Sequence, residues 1–175
     1  MAIKVYNSLS NQKEDFIPLK EGEVMMYVCG VTVYDDIHIG HARSIIVFDM
    51  VARYLRYRGF KVTHVTNFTD VDDKIINRAN EEGVPPLELS ARYIQRYFHE
   101  VDALGVRRAD IYPKASESMD SIVKMVEQII ERGYGYSTPD GSVYFSVDRI
   151  QDYGRLTKQK LEDMVSSGRV TLDEQ

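Results

Sequence analysis

The chain has 175 residues, 43% hydrophobic and 28% charged, with a net charge of −5 and a pI near 5.4. That length allows one compact domain or a domain with an appendage, and the acidity argues against a surface that grips nucleic acid over its whole extent by counterion release. No stretch reaches the roughly 20 apolar residues that span a bilayer and the opening is too polar for a secretory signal, so no membrane partner and a cytoplasmic location are expected.

Val24 to Cys29 is a continuous apolar run, which predicts a strand covered on both faces and released at Gly30. Ala42 to Arg58 carries Ile45, Phe48, Ala52 and Leu55 at helical spacing and is stopped by Gly59. Lys61 to Phe68 predicts the next strand, and the strand-helix-strand unit has the length that a parallel crossover needs. Thr69-Asp70 is placed to cap a helix from about Val71 to Glu82, ended by Gly83. Pro85-Pro86 opens another, marked by Leu87, Ala91, Ile94, Phe98 and Val101 as far as Gly105.

A loop containing Pro113 follows, then a helix from about Ser118 to Arg132 with Ile122, Val123, Val126, Ile129 and Ile130 on its buried side. Tyr134 to Ser137 and Ser142 to Val147 flank Thr138-Pro139-Asp140-Gly141, which is turn chemistry for an antiparallel hairpin. Thr157 is placed to cap a last short helix through Val165, and the run Thr171 to Gln175 is polar. The single cysteine, Cys29, allows no internal disulfide and is a core filler or a ligand.

The chemistry-bearing string is Cys29-Gly30-Val31-Thr32-Val33-Tyr34-Asp35-Asp36-Ile37-His38-Ile39-Gly40-His41, which sets two imidazoles at a helix start. Unpaired backbone N–H groups and the positive end of the helix dipole favour phosphate there. Gly40, without a Cβ, admits a base or phosphate close to the backbone. A histidine taken alone is more often a satisfied structural residue, and His-x-Gly-His alone recurs by chance, so the surrounding string carries the weight. Asp70, Asp72 and Asp73 could form a hard-metal cluster, although carboxylates in a helix's first turn are favoured by the dipole alone. Arg53, Arg56 and Arg58 could meet RNA or form an ordinary solvated face.

The string CGVTVYDDIHIGHARS resembles the signature of cysteinyl-tRNA synthetases, whose first class I motif is HIGH. The segment NFTDVDDKIINRANE, Asn67 to Glu81, and the opening Val5 to Leu9 with Lys13-Glu14 resemble the same family. The resemblance implies an α/β fold: the first half of a class I Rossmann-like nucleotide-binding domain over residues 1–116, a parallel sheet with flanking helices. Residues 117–175 would be part of a helical and hairpin-containing connective peptide.

It further implies ATP-dependent activation of L-cysteine, ATP entering with Mg2+, and transfer to tRNA(Cys). His38 and His41 would be catalytic and, with Thr32 and Gly40, would bind ATP. Cys29, Gly30, Thr32 and Thr69 would line the amino-acid site, and Cys29 would be one of four ligands of a Zn2+ ion. A thiolate-selective metal would reject serine by a margin that an apolar pocket cannot supply.

Family members continue through the other zinc ligands, a Lys-Met-Ser-Lys-Ser loop and an anticodon-binding domain. His64 and His99 cannot rebuild the ligand set around Cys29. The polypeptide by itself is therefore expected to bind zinc weakly or not at all and to catalyse negligible exchange. Self-association, or pairing with the missing C-terminal part, would cover its open sheet edge. The mycothiol-type cysteine ligases share a similar Cys-Gly strand end, but the Thr-Val-Tyr-Asp-Asp run favours the tRNA enzymes. From a different class, a nucleotide-binding or partner-binding module without catalysis would also fit.

Overall fold

In a computed structural model that describes residues 2–158, the chain opens with a hairpin of β1 (Lys4–Asn7) and β2 (Gln12–Asp15), paired from Lys4↔Asp15 to Asn7↔Gln12. The sequence reading had no hairpin here. Its turn is closed by Asn11, at φ 59, donating its N–H to the Asn7 carbonyl at 2.8 Å. Asparagine tolerates that left-handed conformation better than other residues with a side chain.

The apolar run becomes β3 (Glu23–Thr32), followed by α1 (Ile39–Tyr57) and β4 (Lys61–Thr69). β3 and β4 pair in parallel, as the crossover length requires. β3 is not covered on both faces: Val24 is buried, but Met25 and Tyr27 are 83% and 64% exposed. An apolar run is doubly buried only where both faces find a partner. Here α1 sets Ile45 and Phe48 over the face that carries Val28, His64 and Thr66, whereas Met25 and Tyr27 stay open to solvent.

α2 (Asp73–Glu82) and α3 (Pro86–Ala103) follow. α2 starts later than the sequence suggests. Asp72, not Thr69-Asp70, caps it by accepting the Lys74 N–H at 2.9 Å, because Thr69 is still strand and the buried Asp70 accepts from Ser116. Gly83 ends it at φ 68, the left-handed conformation that glycine adopts without strain. The Pro113 segment is more than a loop: Ile111 and Lys114 bridge in parallel to Val65 and Phe68, extending the sheet beyond β4.

The core lies where Phe68 and Val33 meet Ile75 and Ala79 of α2 and Leu89, Ile94, Tyr97 and Val101 of α3. Phe68 stacks on Tyr112 at 5.1 Å and meets Tyr97 and Phe98 edge-on. Each such buried side chain contributes roughly 1.5–3 kcal/mol, so this aromatic cluster fixes the C-terminal end of β4.

α4 (Met119–Glu131) leads to the hairpin of β5 (Gly135–Ser137) and β6 (Val143–Phe145). The hairpin pairs antiparallel as expected, and Asp140 holds its turn by accepting from Thr138 and Ser142, which pulls its carboxyl down to about 2. The buried side expected on α4 is absent: Ile122 and Val123 are exposed, and Val126, Ile129 and Ile130 are half-buried. Two compact units emerge, one Pro18–Ile122 and the other joining residues up to Ile17 with those from Val123 onward. The helix expected through Val165 and the polar tail lie almost wholly outside the described residues.

Candidate functional site

β3 ends and α1 begins within the Pro18–Ile122 unit, and the five residues Val33 to Ile37 between Thr32 and the His38 to Gly40 turn set the geometry. His38 is the N-cap of α1. Its Nδ1 accepts from the Gly40 N–H at 3.0 Å and the His41 N–H at 3.4 Å, while His41 Nδ1 accepts from the His38 N–H at 3.3 Å. The two imidazoles form a reciprocal capping box, the arrangement that Ser or Thr and Glu usually supply.

This corrects one expectation from sequence. The backbone N–H groups of His38, Gly40 and His41 are not open to an anion, since the imidazoles already take them. A nitrogen that accepts from a backbone N–H carries no proton, so both rings are the tautomer with the proton on Nε2. The side-chain donors that the cap leaves uncommitted at this helix start are therefore the two Nε2–H groups.

The rings stack with centroids 3.7 Å apart and planes 20° apart. Partial burial, with a smaller effect from His38, lowers the His41 pKa below its ordinary value. His41 is thus neutral near pH 7. Gly40 suits the cap, because a Cβ there would lie 2.9 Å from His38 Cε1 and push the capping ring aside. No acidic side chain occupies the first turn of α1, unlike α2 with Asp73 and α3 with Glu88.

α3 pins the approach to this turn. Arg96 pairs with Asp36, and Glu100 Oε2 accepts the Ile37 N–H at 3.3 Å. Sequence reasoning missed both residues; their signal was only a charged helix face. Val33, 1% exposed, donates its N–H to the Thr69 carbonyl at 3.2 Å. Thr32 and Thr69 are register partners, so they stand side by side at the strand ends.

Cys29 and Gly30 sit in a bulge, where Val28↔Thr66 is followed by Val31↔Phe68. A Cβ on Gly30 would fall 1.6 Å from the Asn67 carbonyl oxygen, so only glycine fits. Cys29 is exposed. With Gly30 and His41 it lines one part of a cavity of about 90 Å³ that also reaches His64, Thr66 and Tyr112. The structure thus brings Cys29, Gly30 and His41 to one cavity, pairs Thr32 with Thr69 at the strand ends, and sets His38 and Gly40 in the cap of α1.

The other polar candidates have fold roles. Asp70 accepts from the Ser116 N–H and hydroxyl, Asp72 caps α2, and Asp73 is in that helix's first turn. Arg53 bonds Asp49 and the Gly105 carbonyl, Arg56 bonds Asp110 and the Val62 carbonyl, and Arg58 bonds the Tyr54 hydroxyl. Among the described residues no helix is long and apolar enough to cross a membrane.

Residues 15–175 match the family model described as the tRNA synthetases class I (C) catalytic domain. The chain is 52% identical over 172 residues to a cysteine–tRNA ligase of Carboxydothermus hydrogenoformans, covering 98% of this chain and 37% of that protein. It is 49% identical over 173 residues to the cysteine–tRNA ligase of Clostridioides difficile, covering 99% and 37%. It spans a little over a third of the length of these relatives. Mycobacterium tuberculosis methionyl-tRNA synthetase, solved with methionyl-adenylate, superposes with a TM-score of 0.57 at 22% identity over 64% of this chain and 23% of its own, which is a likeness of fold.

Proposed function

Since the chain belongs to the family of class I (C) tRNA synthetase catalytic domains, we propose that it forms the N-terminal catalytic part of a cysteine–tRNA ligase. Such an enzyme uses ATP to activate L-cysteine and passes the cysteinyl group to tRNA(Cys). One observation carries the reading: two stacked imidazoles, each committed through Nδ1 to the cap, stand as paired Nε2–H donors at a helix start that holds no acid, beside the bulge that displays Cys29.

The chemistry follows from the charges. The cysteine carboxylate is already ionised at neutral pH and attacks the α-phosphorus of ATP directly, so no general base is required. As the new O–P bond forms and the bond to pyrophosphate breaks, negative charge grows on the equatorial and leaving oxygens. His38 and His41 meet that charge with hydrogen bonds whose donors are fixed beforehand by the helix cap, so little reorganisation is needed. In the second step a hydroxyl of the terminal adenosine of tRNA attacks the carbonyl carbon, the bond from that carbon to the AMP oxygen breaks with its electron pair going to AMP, and the hydroxyl proton passes to the departing phosphate. Thr32 and Gly40 belong to the ATP side of the site, and Cys29, Gly30, Thr32 and Thr69 to the amino-acid side.

The family resemblance brings a zinc ion with Cys29 among its ligands. Among the described residues no group of three or more His, Cys, Asp and Glu could hold a metal. The residues present do not by themselves fit the ion, and Cys29 is assigned only a place in the amino-acid pocket.

The test is cysteine-dependent exchange between pyrophosphate and ATP by the enzyme that carries this segment. Replacing His41 by Ala is expected to slow exchange by about 10²–10³-fold, the usual effect of deleting one preorganised donor. No exchange with cysteine in the unaltered enzyme, or exchange indifferent to both imidazoles, would refute the reading.

A further inference from the structure

Asn67 lies on β4 opposite the bulge, where β3 puts two residues, Cys29 and Gly30, between Val28 and Val31 against the single Asn67 between Thr66 and Phe68. Its Oδ1 accepts from the Gly30 N–H at 2.9 Å and from the Tyr27 hydroxyl at 2.9 Å. Its Nδ2 donates to Thr69 Oγ1 at 3.4 Å. One carboxamide therefore touches the bulge glycine, a residue just before the bulge, and the threonine at the end of β4.

The polarity of this arrangement is forced. A backbone N–H can only donate, so the amide atom facing Gly30 must be the oxygen, and the NH2 group must then face Thr69. An Oγ1 that accepts from Asn67 keeps its own proton free to donate elsewhere. The side chain also replaces ladder bonding that a bulge interrupts, since the extra residue leaves backbone groups without a cross-strand partner.

We propose that Asn67 is a positioning residue of the amino-acid site: its carboxamide holds the bulge that displays Cys29 and fixes the Thr69 hydroxyl as a hydrogen-bond donor toward an acceptor oxygen of the substrate. The proposal deepens the cysteine–tRNA ligase reading and rests on it. Asn67 acts through Gly30 and Thr69 and is separate from the phosphate-facing pair His38 and His41. Its loss should therefore weaken amino-acid binding and leave ATP binding alone.

An aspartate at 67 keeps the oxygen that accepts from Gly30 and Tyr27, but it draws the Thr69 proton to itself and so reverses the hydroxyl. In the enzyme carrying this segment, N67D should raise the KM for cysteine about tenfold or more, which is what losing one buried hydrogen-bond partner implies. The KM for ATP should stay within about twofold, because the cap geometry at His38 and His41 is untouched. T69V should give a similar rise, T69S should restore near-normal behaviour, and N67D/T69V should be no worse than either alone, as for two residues acting through one bond.

Equal rises in both KM values, or additive effects in the double variant, would overturn the proposal. Hydrogen exchange at the Gly30 amide reads the clamp without any activity: N67A should speed it about tenfold or more and N67D should not, since only the former removes the acceptor. Gly30 exchange unchanged in N67A would refute the clamp even in an enzyme inactive toward cysteine. Absence of cysteine-dependent exchange in the unaltered enzyme, with the Gly30 effect intact, would instead refute the substrate reading.

Discussion

A histidine that caps a helix through Nδ1 has committed that nitrogen, and this separates two roles of His38 that a single alanine variant would confuse. Asparagine caps a helix well but ends short of the Nε2 position, whereas glutamine reaches that position and caps poorly. His38→Asn is expected to melt close to the unaltered protein while slowing exchange about 10²–10³-fold in the enzyme. His38→Gln should retain more activity and lose about 0.5–2 kcal/mol of stability. Circular-dichroism melts with exchange rates check both, and the reverse ordering would show that the cap, not the distal donor, carries the effect. His64 poses a different question, because it is only 8% exposed and no described residue partners its Nε2. Burial lowers its pKa below the ordinary 6.5, partly opposed by Asp110 and reinforced by Arg56. The unfolded chain then binds more protons than the folded one between the lowered value and 6.5, so stability rises with pH across that window. His41 adds in the same direction. The melting temperature should be flat above about pH 7 and fall as pH drops below 6.5, and His64→Leu should flatten the slope. A melting temperature that climbs on acidification would contradict the assignment.

The β3 bulge is an element-scale device, and its glycine is the position where the backbones come closest. A Cβ at Gly30 meets a carbonyl oxygen of the facing strand at 1.6 Å, while one at Gly40 meets the movable ring of His38 at 2.9 Å. Gly30→Ala should therefore destabilise at or above the top of the roughly 1–3 kcal/mol range for overpacking. Gly40→Ala should cost about 1 kcal/mol through the cap. Urea melts of the two variants decide the ordering, and a milder effect at Gly30 would mean that the strands part easily. These positions also mark the limit of what sequence revealed. β3 to β6, the crossover helix and the glycines that end α1, α2 and α3 were legible, because long periodic runs and turn residues act locally, whereas the β1–β2 hairpin was not. The seven candidate residues from Cys29 to Thr69 could be named from their motif alone, before any geometry. The bulge was not, since it exists only in the register between β3 and β4, and Asn67 was invisible for the same reason. α1 starts at Ile39 rather than Ala42 because histidine is an unusual cap. The strand-like pairing of Ile111 and Lys114 was hidden by Pro113, a residue that sheets accept at edges.

At the scale of the molecule, the sheet of the Pro18–Ile122 unit runs from β3 through β4 to the segment at Ile111–Lys114, and among the described residues no strand pairs with the outer edge of β3. A parallel strand that carries the site's bulge is thereby an edge, flanked by the exposed side chains of Met25 and Tyr27. The outward side of α1 adds Met50, Tyr54 and Tyr57, all exposed. Open edges with apolar neighbours template pairing with other chains. The relatives extend over nearly three times the length that this chain covers, at 37% of the protein from C. hydrogenoformans, so chain is available in such enzymes to cover that edge. We therefore expect the 175-residue polypeptide, prepared alone, to self-associate in the micromolar range typical of transient encounters. Sedimentation velocity over a range of concentrations measures it. Met25→Lys with Tyr27→Lys should shift the distribution toward monomer, because like charges on an edge oppose pairing. Met25→Lys alone should leave the melting temperature of dilute protein nearly unchanged, since that side chain is exposed, whereas Tyr27→Lys also removes the hydroxyl that donates to Asn67. A single monomeric boundary at all concentrations for the unaltered chain would show that the edge protects itself, and the argument from its exposed residues would fail.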